Sequence, residues 1–95
     1  MIKIITVCGN GIGSSLMLKM IVEEICEEHG IPVSVESCDF NAAKGKDCDL
    51  IVTVKELASE FDRQWTAVVR SYVNKKKVEE DVLDTIKQIA EKKSK

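Results

Sequence analysis

Ile2-Lys3-Ile4-Ile5-Thr6-Val7 runs directly into Cys8-Gly9-Asn10-Gly11-Ile12-Gly13-Ser14-Ser15, and a helical apolar pattern follows from 16 to about 28. The first six residues form a β-rich apolar run, the pattern of a strand covered on both faces. The spacing predicts a strand that ends at the cysteine, a turn through three glycines, and a helix that starts near Ser14. Glycine at 9, 11 and 13 lets backbone amides converge at φ values that a side chain would forbid. A helix N-terminus adds N–H groups without partners and about half a positive charge. Together these make an anion cradle with a thiol at its rim. The same field favours thiolate at Cys8, because cysteines at helix N-termini fall below their usual pKa of about 8.5. A nucleophile beside a phosphate-shaped nest points to phosphoryl transfer through a phosphocysteine.

Competing motifs fail letter by letter. A dinucleotide fingerprint needs G-x-G-x-x-G. Counted from Gly9 its third glycine falls on Ser14, and from Gly11 on Leu16, so only Glu36, at the place of a ribose-binding acid, matches. A Walker A loop needs a lysine, and this loop has none. A cysteine phosphatase needs an arginine six residues after its thiolate to clamp two phosphoryl oxygens. Here that position is Ser14. Without the clamp, hydrolysis of a phosphocysteine is slow, which suits a phosphate carrier better than a phosphatase. The plain alternative is a buried cysteine that ends a strand before an ordinary glycine turn. Three glycines and two serines around one thiol are hard to explain as packing.

The run from Val7 to Ser15 resembles the active-site loop of the enzyme IIB components of the bacterial phosphoenolpyruvate-dependent sugar phosphotransferase system. Within that family C-G-N-G-x-G-S-S is most similar to the ascorbate type; the galactitol type usually replaces the asparagine and the later glycine. The loop carries the resemblance in its letters, and the rest of the chain in its layout. The resemblance implies that Cys8 accepts a phosphoryl group from a phosphohistidine on enzyme IIA. It implies that Cys8 then passes the group to a sugar held by the membrane component, enzyme IIC. In this scheme Cys8 is the nucleophile. The amides of Gly9, Asn10, Gly11, Ile12, Gly13, Ser14 and Ser15 hold the phosphoryl oxygens, with side-chain donors from Asn10, Ser14 and Ser15. No cofactor is called for. A low-molecular-weight cysteine phosphatase, and a regulatory module whose phosphocysteine is itself the signal, are the other readings of the same loop.

Ninety-five residues make one domain over 1–95. Apolar residues at 44% with four aromatics give an aliphatic core. A net charge of −2 without a basic stripe argues against nucleic acid as a partner. The first apolar run, six residues after no basic region, is too short for a signal peptide or a membrane span. The expected setting is the cytoplasm, without membrane insertion. The cysteines at 8, 26, 38 and 48 contain no C-x-x-C pair and His29 is the single histidine, so neither a zinc site nor a disulfide framework is expected. Cys26, Cys38 and Cys48 read as small apolar or partly exposed residues.

The remaining pattern is that of alternating strands and helices. Helix one is expected over 14–29, with Leu18, Ile21, Val22 and Ile25 toward the sheet and Gly30 as its stop. Leu16 and Met20 lie on the opposite side of that helix, close to the loop. Packing under a neighbouring segment is the reading favoured for them, and a docking surface for a partner protein the other. His29 is read as a helix-end cap. Strands two, three and four are expected at 33–36, 50–54 and 66–69, with a weak helical turn at 41–44 and a short helix over 55–61. Leu57, Ala58 and Phe61 of that short helix should face inward. Arg63 and Arg70 are read as surface residues before anion ligands. Asn74 is the expected N-cap of a last helix to about 92, with Val78, Val82, Ile86 and Ile89 as its buried stripe. The fold class that follows is α/β: a four-stranded parallel sheet of order 2-1-3-4, with three helices, Rossmann-like or low-molecular-weight-phosphatase-like. That order puts the Cys8 loop at the switch point where such sheets bind ligands.

Overall fold

The computed structural model describes residues 2–7, 12–38, 40–59, 65–70 and 74–93, with 12–15, 40, 44 and 56 described through their backbone. Among the described residues eight elements alternate along the chain. They are β1 (Ile2–Val7), α1 (Ile12–Glu28), β2 (Val33–Cys38), α2 (Phe40–Lys44), β3 (Leu50–Val54), α3 (Lys55–Ala58), β4 (Thr66–Val69) and α4 (Lys75–Lys93). The four strands form one parallel sheet of order β2-β1-β3-β4. The expected topology therefore holds, and β1 and β3 are its central strands. Chain order reverses between them, at the carboxyl end of β1.

Alternation along the strands divides the core in two. Ile2 and Ile4, Leu50 and Val52, and Ala67 and Val69 face α1 and α4, where they meet Leu18, Val22, Ile25 and Cys26 of α1 and Val78, Val82, Ile86 and Ile89 of α4. Ile5, Val7, Cys38 and Ile51 face the other way, toward Ala43 of α2 and Leu57 of α3. Each Val, Leu or Ile among them, fully removed from water, contributes roughly 1.5–3 kcal/mol. The α4 stripe is buried as the periodicity predicts; in α1, Leu18, Val22 and Ile25 are buried and Ile21 is half-buried.

Four boundaries differ from expectation. Helix α1 begins at Ile12, two residues before Ser14, so Gly13 is helical. Strand β2 extends through Cys38, because it pairs with β1 along its whole length, from Ile2↔Val33 to Val7↔Cys38. Helix α3 ends at Ala58; Leu57 packs inward and Ala58 is half-buried, whereas Phe61 and Arg63 lie outside the described residues. The weak turn at 41–44 is the fourth helix, α2, one more than the three expected.

Helix α1 closes in a Schellman motif. The Ile31 N–H donates to the Cys26 carbonyl (2.9 Å) and the Gly30 N–H to that of Glu27 (3.2 Å), with Gly30 at φ +67°. That left-handed geometry favours glycine over any residue with a Cβ. Gly30, not His29, therefore satisfies the helix end. His29 instead sets Nε2 3.8 Å from Glu79, while Lys75 Nζ reaches Glu24 (2.9 Å) and Glu28 (2.7 Å). These pairs tie the end of α1 to the start of α4. Among the described residues no helix is long and apolar enough to cross a membrane.

Candidate active site at the carboxyl end of β1

Val7 is the last residue of β1 and Ile12 the first of α1. Cys8, Gly9, Asn10 and Gly11, which join them, lie outside the described residues. The backbone of Ile12, Gly13, Ser14 and Ser15 forms the opening turn of α1. The first four N–H groups of an α-helix have no intrahelical acceptor, and they carry the positive end of the dipole. No acidic residue stands in this turn to neutralise that field. An anion at the start of α1 therefore meets backbone donors with no competing carboxylate on the same turn.

Two other polar groups considered from sequence are engaged elsewhere. The Arg70 N–H donates to Asp81 Oδ2 (3.0 Å), Nε lies 3.2 Å from both Asp81 oxygens, and Nη2 lies 3.2 Å from Glu80. The guanidinium thus fastens β4 to α4. Glu36 pairs with Lys46, whose hydrogen bond holds the carboxyl below its usual range. Among the described residues no group of three or more His, Cys, Asp or Glu is arranged to hold a metal ion.

The described thiols differ from what an active nucleophile needs. Cys26 is fully buried in the α1–α4 core, and burial pushes its pKa up to about 11. Cys38 is buried beside Val7 at the end of β2, and Cys48 is half-buried before β3.

The packing favoured for Leu16 and Met20 is corrected: they are 44% and 62% exposed. The reason is helical geometry. Each is two residues from Leu18, about 200° around the helix, and Leu18 is fully buried. Met17, which the sequence reading did not single out, is 48% exposed and joins them. Three large apolar side chains thus stand together on the amino-terminal half of α1, one turn beyond the loop. Thr53, a fully buried residue at the end of β3, also went unmarked, because only strand register reveals its place.

The comparisons agree with the layout. The model of the family described as "PTS system, Lactose/Cellobiose specific IIB subunit" matches residues 3–93. The chain is 35% identical over 75 residues to a protein of Mycoplasma pneumoniae named "Ascorbate-specific PTS system EIIB component", covering 77% of this chain and 79% of that one. It is 28% identical over 92 residues to a Salmonella choleraesuis protein of the same name, covering 92% of this chain and 91% of that one. A third protein of that name, from Escherichia coli O157:H7, is 34% identical over 62 residues, covering 63% of this chain and 61% of its own.

Proposed function

The chain belongs to the lactose/cellobiose-specific IIB family of phosphotransferases, and from that premise we propose that Cys8 is its phosphoryl carrier. The thiolate sulfur attacks phosphorus on a phosphohistidine of enzyme IIA; the N–P bond breaks as the S–P bond forms. A sugar hydroxyl held by enzyme IIC then attacks phosphorus, the S–P bond breaks, the hydroxyl proton leaves to solvent, and the thiolate returns. Gly9, Asn10, Gly11, Ile12, Gly13, Ser14 and Ser15 hold the phosphoryl oxygens through their amides, aided by the Asn10, Ser14 and Ser15 side chains. The exposed Leu16, Met17 and Met20 receive the partner that brings or takes the phosphoryl group. Ascorbate is the proposed sugar, on the names of the relatives, and the cytoplasm the proposed site of action.

The observation that supports this reading is the opening turn of α1, which begins at Ile12 without an acidic residue and follows in sequence the end of β1, a central strand of the sheet. With Ser14 where a phosphatase has its arginine, water gains little help against the S–P bond. The test is incubation with phosphoenolpyruvate, the general phosphotransferase proteins and a IIA protein, followed by intact mass. Wild type should gain one phosphoryl group and Cys8→Ser none, and the phosphoprotein should discharge when the membrane component and ascorbate are added. Unaltered gain in Cys8→Ser, or rapid turnover of p-nitrophenyl phosphate by wild type, would overturn the carrier reading.

A further inference from the structure

Sulfur is distributed unevenly over the described residues. The buried members of both core clusters are Ile, Leu, Val, Ala and Cys, so methionine does not serve as a gap-filler there. Met17 and Met20 instead stand in the open on α1, together with Leu16. Met20 lies three residues from Met17 and four from Leu16, spacings that make neighbours on a helix surface. The two thioethers therefore belong to one apolar face of three side chains.

The described thiols are placed the opposite way. Cys26 is fully buried, Cys38 nearly so, and Cys48 is half-buried. A thiol meets an oxidant as its thiolate, and burial keeps the Cys26 thiol protonated by raising its pKa to about 11. A thioether has no proton to lose, so its lone pair attacks wherever an oxidant reaches it. Among the described sulfur-bearing residues, Met17 and Met20 thus combine reactivity with the greatest access.

Resting on the docking reading above, we propose that Met17 and Met20 are a modification site for oxidants of the peroxide class, and that their oxidation closes the exposed face of α1 to the phosphoryl donor. In each event the thioether lone pair attacks one peroxide oxygen. The S–O bond forms as the O–O bond breaks, and the displaced hydroxide takes a proton and leaves as water. Sulfur gives up the two electrons that the peroxide gains. The product is a sulfoxide, a polar group on a side chain that was apolar. Burying it against a partner without a hydrogen bond carries a cost that the thioether does not. A methionine sulfoxide reductase, with a thiol as electron donor, restores the original face. Leucine would give similar apolar contact without this chemistry.

The experiment exposes wild type and the double variant Met17→Leu/Met20→Leu to hydrogen peroxide. Peptide mass locates each modification. The oxidant is then removed, and dithiothreitol reverses thiol oxidation in both proteins. The rate of phosphoryl transfer from a IIA donor is divided by that of the same protein before oxidation. Cys8 is common to the two proteins, so its oxidation affects both ratios alike. Wild type should gain oxygen at Met20 and Met17 before Cys26, Cys38 or Cys48 is modified. Its rate ratio should lie about fivefold below that of the double variant, the effect of one polar group buried without a partner. Methionine sulfoxide reductase should return the wild-type rate, and the Tm of oxidised wild type should stay near that of the untreated protein. Equal ratios in the two proteins overturn the proposal, as does modification of Cys26, Cys38 or Cys48 before either methionine. So does an oxidised wild type that is unfolded at the assay temperature, since the loss then belongs to the fold and not to the face. The docking reading is judged separately, without oxidant. Leu16→Asp at the wild-type transfer rate ends that reading, whereas a slowed Leu16→Asp beside equal ratios ends the modification site alone.

Discussion

Helices α1 and α4 cover the same face of the sheet and solve the task differently. In α4 the apolar residues Val78, Val82, Ile86 and Ile89 are all buried, and charges occupy much of the outer face. Its ends are fastened. Asn74 Oδ1 accepts the Lys77 N–H (3.3 Å), Arg70 holds Asp81 and Glu80, and Lys93 Nζ lies 3.2 Å from Asp49. In α1 the buried stripe of Leu18, Val22, Ile25 and Cys26 is accompanied by Leu16, Met17 and Met20 in the open. A helix whose sole work was to cover the sheet would gain nothing from three exposed large apolar residues. The difference sets a helix whose large apolar stripe is covered against one that keeps three large apolar residues exposed, the face proposed above to receive a partner.

The largest effect that tests this contrast is on stability. Ile86→Ala should cost about 2–5 kcal/mol, since it opens a cavity in the α1–α4 core. Met20→Ala should change stability by less than ~0.5 kcal/mol, as truncation of an exposed side chain does. Urea unfolding of the two variants decides it. Equal losses would make Met20 a core residue and end the division between the helices.

The next effect is on transfer. Leu16→Asp and Met20→Asp put charge on the exposed face of α1 without touching the buried stripe. Each should slow phosphoryl transfer from the IIA donor about tenfold, equivalent to ~1.4 kcal/mol, with Tm nearly unchanged. A rate equal to wild type in both would leave the exposed face without a part in docking.

How legible these differences were follows from the kind of information each needs. The α4 stripe repeats at helical spacing in the letters, and β3 and β4 are short apolar runs, so local pattern sufficed. The tail of β2 could not be read that way: Glu36, Ser37 and Cys38 gain their strand character from pairing with β1, a relation between segments. Gly13 argued locally against a helix, which moved the expected start of α1 to Ser14, yet the helix includes it. Leu16 and Met20 were placed on the correct side of the wheel, but the segment expected to cover them does not bury them. Thr53 was invisible, since its neighbours across the strands and its lack of a partner are both tertiary facts. The Cys8 loop is the reverse case: its letters carried the family, and the chemistry proposed from them rests on Cys8, Gly9, Asn10 and Gly11, which lie outside the described residues.

A smaller effect concerns how α4 is fastened to β4. Asp81 accepts the backbone N–H of Arg70 as well as its side chain, and its carboxylate is largely covered. Asp81→Ala removes the acceptor for that N–H and should cost ~1 kcal/mol, most of it from the backbone bond, because the exposed Arg70 side chain contributes little. A Tm equal to wild type would show that this fastening does not matter to the scaffold helix.

The smallest effect is a pH dependence at the other end of α4. Asp49 Oδ2 accepts the Lys3 N–H (2.8 Å) and faces Lys93. Partial burial pushes its pKa up, but the hydrogen bond from Lys3 and the Lys93 ammonium together outweigh burial, so the carboxyl ionises below its usual value. The folded pKa thus lies beneath the unfolded one, about 3.9. The stabilisation is complete above that unfolded value and disappears as pH falls through the lower, folded value. Glu36, lowered by Lys46, adds a second contribution of the same sign. Asp49→Asn keeps an acceptor oxygen for Lys3 and removes only the charge. It should therefore lower Tm slightly at pH 7, by the equivalent of ~0.5 kcal/mol or less. Below about pH 4 its Tm should fall less steeply than that of wild type, until the two curves converge. Glu36→Gln, measured beside it, separates the two carboxylates. Parallel curves for Asp49→Asn and wild type from pH 7 down to pH 3 would show that Lys93 does not hold the end of α4 through charge. That end of the helix would then be held by the burial of Ile86 and Ile89 and by Lys92 over the Trp65 ring.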